Sequence, residues 1–306
     1  MGVAIDIHYA VVPAMARRKA DDAVFFFAGG PGQSAMDLAG ALASRYQRLS
    51  QRRDLVFVDQ RGTGRSAPLK CAEDDERAGL RPLAELADET RRQPRLRACR
   101  LALQALPHGD LRFYTTEIAM ADVEAVRLAL GVPRINAIGG SYGTRAVLSY
   151  QRQFPQAVRR AVLDGVAPPD MRLPDSVGRD VQSAFDGLLA ACAAEPACHQ
   201  RHPQLRQQWL ALLASLPRSV VLPHPVSGRP ETITLHPDTL LGQVRGPLYQ
   251  PALAAALPEA IAEASAGRWA ALAALASQPV GAGDLASGMH FSVVCSEDLG
   301  PGAPGA

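Results

Sequence analysis

One passage constrains this chain more than any other. A strand-like stretch at 135–139, INAIG, passes directly into Gly139-Gly140-Ser141-Tyr142-Gly143, and a helical pattern, TRAVLSYQRQF, follows without a break. Strand, tight turn and helix in that order put a serine at the end of a strand and at the start of a helix. That is the context of the G-x-S-x-G turn, which holds a serine hydroxyl exposed at the top of a parallel sheet. Small residues flank Ser141 because such a turn is strained and neighbouring backbones pass close. The helix N-terminus beneath favours developing negative charge. These features suit Ser141 as a nucleophile; the plainer alternative is a Gly-rich turn with an ordinary capping serine.

The rest of the first half fits the same architecture. Short β-rich runs at 3–12, 23–28, 55–59, 135–139 and 160–164 alternate with helical patterns. The clearest helix covers 116–130, with Thr115 or Thr116 as N-cap. This alternation predicts an α/β fold with a mostly parallel sheet covered by helices. After Pro168 the character changes to Ala- and Leu-rich helical stretches at 175–194, 204–216, 251–266 and 269–276. A hairpin over 219–222 and 231–235 interrupts them. The expected organisation is an α/β core over 1–168 and a mostly helical unit with a hairpin over 169–290. A short strand at 291–295 and a Gly- and Pro-rich end then complete 291–306.

Composition narrows the function classes. The 306 residues include 32 Lys plus Arg against 30 Asp plus Glu, and 47% are hydrophobic, which excludes a disordered chain. Only Lys19 and Lys70 are lysines, and the arginines are scattered along the sequence. A near-neutral charge of +2 with no polybasic block therefore offers no electrostatic case for a nucleic-acid or anionic-membrane partner. No apolar run approaches the roughly 18 residues that a membrane-spanning helix needs. The start, MGVAIDIHYAVVP, has neither the basic residues nor the small-residue cleavage site of a secretory signal. Five cysteines, Cys71, Cys99, Cys192, Cys198 and Cys295, leave reduced thiols and disulfides as open alternatives.

Two further motifs follow strands. Gly29-Gly30-Pro31-Gly32 comes immediately after AVFFFA. In a sheet of this kind, one oxyanion donor is the N–H after the nucleophile and another comes from a Gly-rich loop after an early strand. Tyr142 and Gly30 fit those roles, each such donor stabilising a transition state by roughly 3 kcal/mol. Otherwise the loop merely turns the chain; with no Gly-Lys-Ser/Thr following, it is not a phosphate-binding loop. Asp59 to Ser66, DQRGTGRS, reads as a polar turn in which Asp59 and Arg61 pair.

In combination these motifs carry a family likeness. The succession FFFAGGPGQSA, LVFVDQRGTGRS, INAIGGSYGT and RAVLDGVAPP resembles the proline iminopeptidase and tripeptidyl-aminopeptidase-like branch of the α/β-hydrolases. The likeness extends to VRGPLYQPALAAALPEAIAEASAGRW and to the closing VVCSED. It implies a serine peptidase that releases N-terminal residues from peptides through an acyl-enzyme on Ser141. Gly30 and Tyr142 would form the oxyanion hole, and the helical unit would serve as a substrate-selecting lid, without metal or other cofactor. Glu297 and Asp298 would be candidates to hold the substrate's α-ammonium. Cys71 with Cys99, and Cys192 with Cys198, look like disulfide pairs of such relatives, which are commonly exported. Ala28 departs from the His that proline iminopeptidases carry before GGPG and so favours the tripeptidyl-aminopeptidase-like members. An esterase or other small-molecule hydrolase on the same fold is the alternative.

A serine nucleophile needs a base, usually His oriented by a carboxylate. The histidines after Ser141 are His199, His202, His224, His236 and His290. The first four fall in the predicted lid, and His290 precedes a predicted strand rather than following one. Asp164 ends its strand within LDGV, which looks structural. Members of the family continue past a segment like CSED with two more strands, carrying an Asp and a Gly-His. The expectation is therefore a chain truncated at both ends, an inactive fragment if its base is lost. Its strand at 160–164 would be left as an exposed edge, with poor solubility or oligomerisation following.

Overall fold

The computed structural model describes residues 3–75, 79–277 and 285–299. They form two compact units, each discontinuous in sequence. The first lies within 1–75, 96–174 and 282–306, the second within 76–95 and 175–281.

The first unit is built on a five-stranded sheet of β1 (Tyr9–Val12), β2 (Ala23–Phe27), β3 (Leu55–Val58), β4 (Ile135–Gly140) and β5 (Val158–Asp164), in the order β1-β3-β2-β4-β5. All neighbours run parallel except β1, which is antiparallel to β3. The predicted mostly parallel α/β sheet is the observed one. Every residue of β2 and β3 is buried, as continuous apolar strands covered on both faces should be. Phe25, Phe27, Val56 and Ala137 pack with Met120 and Val123 of the Thr116–Ala129 helix and with Val147 and Tyr150 of the Tyr142–Gln153 helix. On the other face, Val24, Phe26, Leu55 and Phe57 meet Leu42 and Tyr46, and the Phe26 and Phe57 rings stack at 4.7 Å. Thr115 caps its helix by accepting from the Ile118 N–H at 3.4 Å. β1 is shorter than the predicted 3–12 because its partner β3 is only four residues long. β5 lies outermost and is mostly exposed.

The second unit contains the predicted hairpin, β6 (Arg218–Pro223) antiparallel to β7 (Pro230–Leu235). Its core gathers Phe185, Trp209, Leu235, Leu240, Leu257 and Ile261. The predicted helix over 251–266 is two, Pro251–Ala254 and Leu257–Ser265. Pro258 sits in the first turn of the second, where its missing N–H costs no hydrogen bond. A helix at Pro237–Leu248 was not expected from the sequence, although its buried Leu240 and Val244 stand one turn apart. Within 76–95, Leu83 packs on this core and its N–H donates to Glu231 Oε2 at 2.6 Å.

Cys71–Cys99 and Cys192–Cys198 are disulfides, with Cα–Cα separations of 5.2 and 5.1 Å, and Cys295 is free and exposed. The strand expected at 291–295 does not form. The chain is an α-helix over Ser287–Val293 that passes into a wider π turn over Val294–Asp298. The buried Gly288, Met289, Ser292 and Val293 recur at helical spacing. The isolated run FSVVC is too short for periodicity to separate strand from helix.

Candidate active site

β4 delivers Ser141 to the top of the sheet. Its φ of 54° and ψ of −125° lie in a region that L residues rarely adopt, and the Tyr142–Gln153 helix starts at the next residue. Packing and hydrogen bonds hold the turn there. The Ser141 N–H donates to the Asp164 carbonyl at 2.9 Å, and the Ser141 carbonyl accepts from Thr144 N at 2.9 Å and Thr144 Oγ1 at 2.6 Å. Thr144 Oγ1 in turn accepts from Ala167 N at 2.8 Å, so the loop after β5 buttresses the turn. A Cβ on Gly143 would overlap the Phe27 carbonyl, which is why this position has no side chain. Ser141 is exposed, while the six residues after it are buried.

The Gly29–Gly32 loop abuts the serine. A Cβ on Gly29 would lie 3.3 Å from Ser141 Cβ and 3.2 Å from the Gly140 carbonyl. Gly30 has φ +107°, and the Gly30–Pro31 peptide is cis. Residues 285–290 brace this loop: Ala286 N donates to the Gly32 carbonyl at 2.9 Å, and His290 Nδ1 lies 3.2 Å from the Pro31 carbonyl. Asp59 holds the segment after the loop. Its Oδ1 accepts from Ser34 Oγ at 2.7 Å and Met36 N at 3.1 Å, and its Oδ2 from Arg65 N at 3.2 Å. The expected Asp59–Arg61 pair is absent, because Arg61 instead makes a bidentate pair with Asp122 at 2.6 Å.

Tyr142, the proposed second donor, has a buried side chain whose hydroxyl lies 2.6 Å from Thr116 Oγ1. Burial pushes this phenol well above its ordinary pKa, and the nearby Glu297 charge adds to the rise. Glu297 Oε1 accepts from Thr116 N at 2.6 Å and Oε2 from Thr116 Oγ1 at 2.8 Å, capping the Thr116–Ala129 helix. Burial raises the Glu297 carboxyl above its ordinary pKa, against the opposing pull of Thr116 and Arg145. Asp298, only 1% exposed, pairs with Arg145 Nη1 at 2.8 Å. Arg145 also donates to the Met171 carbonyl. Both carboxylates thus already have partners within the chain. Asp298 Oδ1 is the oxygen on Arg145, whereas its buried Oδ2 has no hydrogen-bond partner among the described residues and keeps acceptor capacity.

Ser141 Oγ has no hydrogen-bond partner among the described residues. None of the five histidines after Ser141 is hydrogen-bonded to its Oγ among the described residues. His202 lies 3.5 Å from Glu259, and His224 Nε2 lies 3.0 Å from the Arg81 carbonyl. His199 and His236 are exposed, and His290 sits on a helix rather than before a strand. Among the described residues no group of three or more His, Cys, Asp or Glu could hold a metal, and no helix is long and apolar enough to cross a membrane.

Comparison with known proteins adds a family. The profile of the α/β hydrolase fold matches residues 22–245. Serine protease Hip1 of Mycobacterium tuberculosis is 31% identical over 185 residues, covering 56% of this chain and 35% of that protein. Tripeptidyl aminopeptidase of Streptomyces coelicolor is 28% identical over 219 residues, covering 65% and 40%. A proline iminopeptidase of Neisseria meningitidis is 29% identical over 144 residues, covering 47% and 32%. The matches thus span only 32–40% of the length of these relatives. A serine on a strained strand-to-helix turn, inside a sequence match that takes in β2 through β7, has one consistent explanation: the chain belongs to the α/β-hydrolase family.

Proposed function

We propose that this chain carries the nucleophile and oxyanion hole of a serine hydrolase that releases residues from peptide N-termini. The observation that carries this reading is the exposed Ser141 on its positive-φ turn, with the Gly29–Gly32 loop against it. Ser141 Oγ attacks the scissile carbonyl carbon, forming a C–O bond while its proton passes to a base. The N–H groups of Gly30 and Tyr142 hold the resulting oxyanion. Collapse breaks the C–N bond as the amine leaves with a proton, and water then hydrolyses the acyl-enzyme. An oxyanion hole without its full triad still accelerates such reactions by roughly 10³–10⁴ over water. The aminopeptidase and iminopeptidase names of the Streptomyces and Neisseria relatives support peptide N-termini as the substrate class.

The test is intact-mass detection of fluorophosphonate labelling. One adduct is expected on the folded chain and none on Ser141→Ala. Because Ser141 Oγ meets no imidazole among the described residues, added free imidazole is expected to accelerate the labelling. Folded protein that stays unlabelled with and without imidazole would sink the assignment of Ser141. Turnover of a tripeptidyl anilide in preference to a simple aryl ester separates a peptidase from an esterase on the same turn.

A further inference from the structure

Residues 14–22 and 50–54 are remote in sequence and meet at one end of the sheet. Met15 N donates to the Ser50 carbonyl and Ala16 N to the Gln51 carbonyl, both at 2.9 Å, and Ala20 N donates to the Arg52 carbonyl at 2.7 Å. The first segment leads into β2 and the second into β3, so both lie at the N-terminal ends of parallel strands. Ser141 follows β4, which runs parallel to β2, and therefore lies at the opposite end.

These segments carry the cations Arg17, Arg18, Lys19, Arg52 and Arg53 and the carboxylates Asp21, Asp22 and Asp54. Lys19 and the Ala14 N–H engage Asp54. Arg53 at 2.7 Å and Arg159 at 3.3 Å engage Asp22. Arg17, Arg18 and Arg52 remain on the cationic side against one remaining carboxylate, the exposed Asp21, which does not line the cleft. All three arginines are exposed, and no guanidinium among them has a hydrogen-bond or ion-pair partner among the described residues. With Met15, Ala16 and Gln51 they line an open cleft of about 990 Å³, and Met15 is 73% exposed.

Three like charges held on one backbone-tethered platform repel one another, and an anion relieves that repulsion. Guanidinium forks match phosphate oxygens, and an exposed apolar side chain among cations suits a bilayer surface. A whole-chain net charge of +2 attracts membranes only weakly, so any attraction is local to this cleft. We propose that the cleft binds phosphate groups and that its partner is an anionic lipid bilayer. Arg17, Arg18 and Arg52 engage lipid phosphates, Met15 enters the headgroup layer, and the Ser141 end of the sheet faces the water phase.

Flotation with vesicles of phosphatidylcholine plus phosphatidylglycerol, against phosphatidylcholine alone, tests this. Wild type is expected on the anionic vesicles only, released by high salt. The triple variant Arg17→Glu/Arg18→Glu/Arg52→Glu is expected to bind roughly 100-fold more weakly or worse, since each basic residue near an anionic surface contributes about a fivefold factor. Met15→Ser is expected to weaken binding without changing its salt dependence. Thermal melts should stay unchanged in both variants, because the altered side chains are exposed. Ser141→Ala should float as wild type does, which separates this surface from the hydrolase assignment. Equal binding by the triple variant, binding to neutral vesicles or no vesicle binding would overturn the proposal. So would retention of inorganic pyrophosphate or a DNA duplex by a chain that ignores vesicles, which would assign the cleft to soluble phosphates or nucleic acid.

Discussion

At the scale of single residues, strain and burial decide what each side chain does. Ser141 sits at φ 54°, a conformation that costs a non-glycine residue of order 1–3 kcal/mol and is natural for glycine. Ser141→Gly is therefore expected to melt higher than Ser141→Ala by about 1 kcal/mol or more, while both lose labelling; calorimetry of the two variants checks this. Glu297 makes a pH-dependent case. Its folded pKa is raised above 4.5, so the protonated form is favoured by folding, and that contribution is present below pH 4.5 and lost as pH rises. Glu297→Gln, which stays neutral, should gain stability relative to wild type between pH 4 and pH 7, read from paired thermal melts. Asp22 has the opposite sign. Burial raises its pKa, but Asn136, Arg53 and Arg159 more than offset this and hold it below 3.8. Asp22→Asn should cost about 1–2 kcal/mol at neutral pH, and the difference should shrink as pH falls below 3.8. Ser141 was legible because its motif is local. The partner of Arg61 was not, because Asp122 stands 61 residues away and only folding brings it within reach.

At the scale of elements, closure and spacing govern. The Cys71–Cys99 bridge closes 28 residues and Cys192–Cys198 only 6. Chain-entropy estimates assign them about 3.5 and about 2 kcal/mol respectively. Cys71→Ser/Cys99→Ser is accordingly expected to lower the urea midpoint more than Cys192→Ser/Cys198→Ser does, and equal losses would refute that ranking. Strands β2 and β3 were legible as continuous apolar runs followed by glycine or aspartate, and β4, which contains Asn136, was legible from the glycine-serine turn that follows it. The helix at Ser287–Val293 was misread because the five-residue run FSVVC is too short to separate the two periods. Its helical state depends on tertiary contacts such as Gly288 N donating to the Leu69 carbonyl at 2.9 Å.

At the scale of the whole molecule, the exposed outer edge of the sheet sets behaviour in solution. Among the described residues β5 pairs only with β4, and Val162 is 54% exposed. An exposed edge of this kind templates pairing with another chain. Sedimentation velocity is expected to show association that rises with concentration and is reduced by Val162→Lys; a monodisperse monomer at all concentrations would contradict this. By itself, the sequence determined the five strands of the sheet, the serine turn and its Gly-rich companion loop, because each depends on residues adjacent in the chain. Tertiary structure alone decided the Asp59 and Arg61 partners, the helical state of 287–293 and the engagement of Glu297 and Asp298 by Thr116 and Arg145. It also brought Arg52 beside the adjacent pair Arg17 and Arg18 in one cleft. These features join groups tens to hundreds of residues apart, and local propensity carries no information about which distant backbone will fold against them.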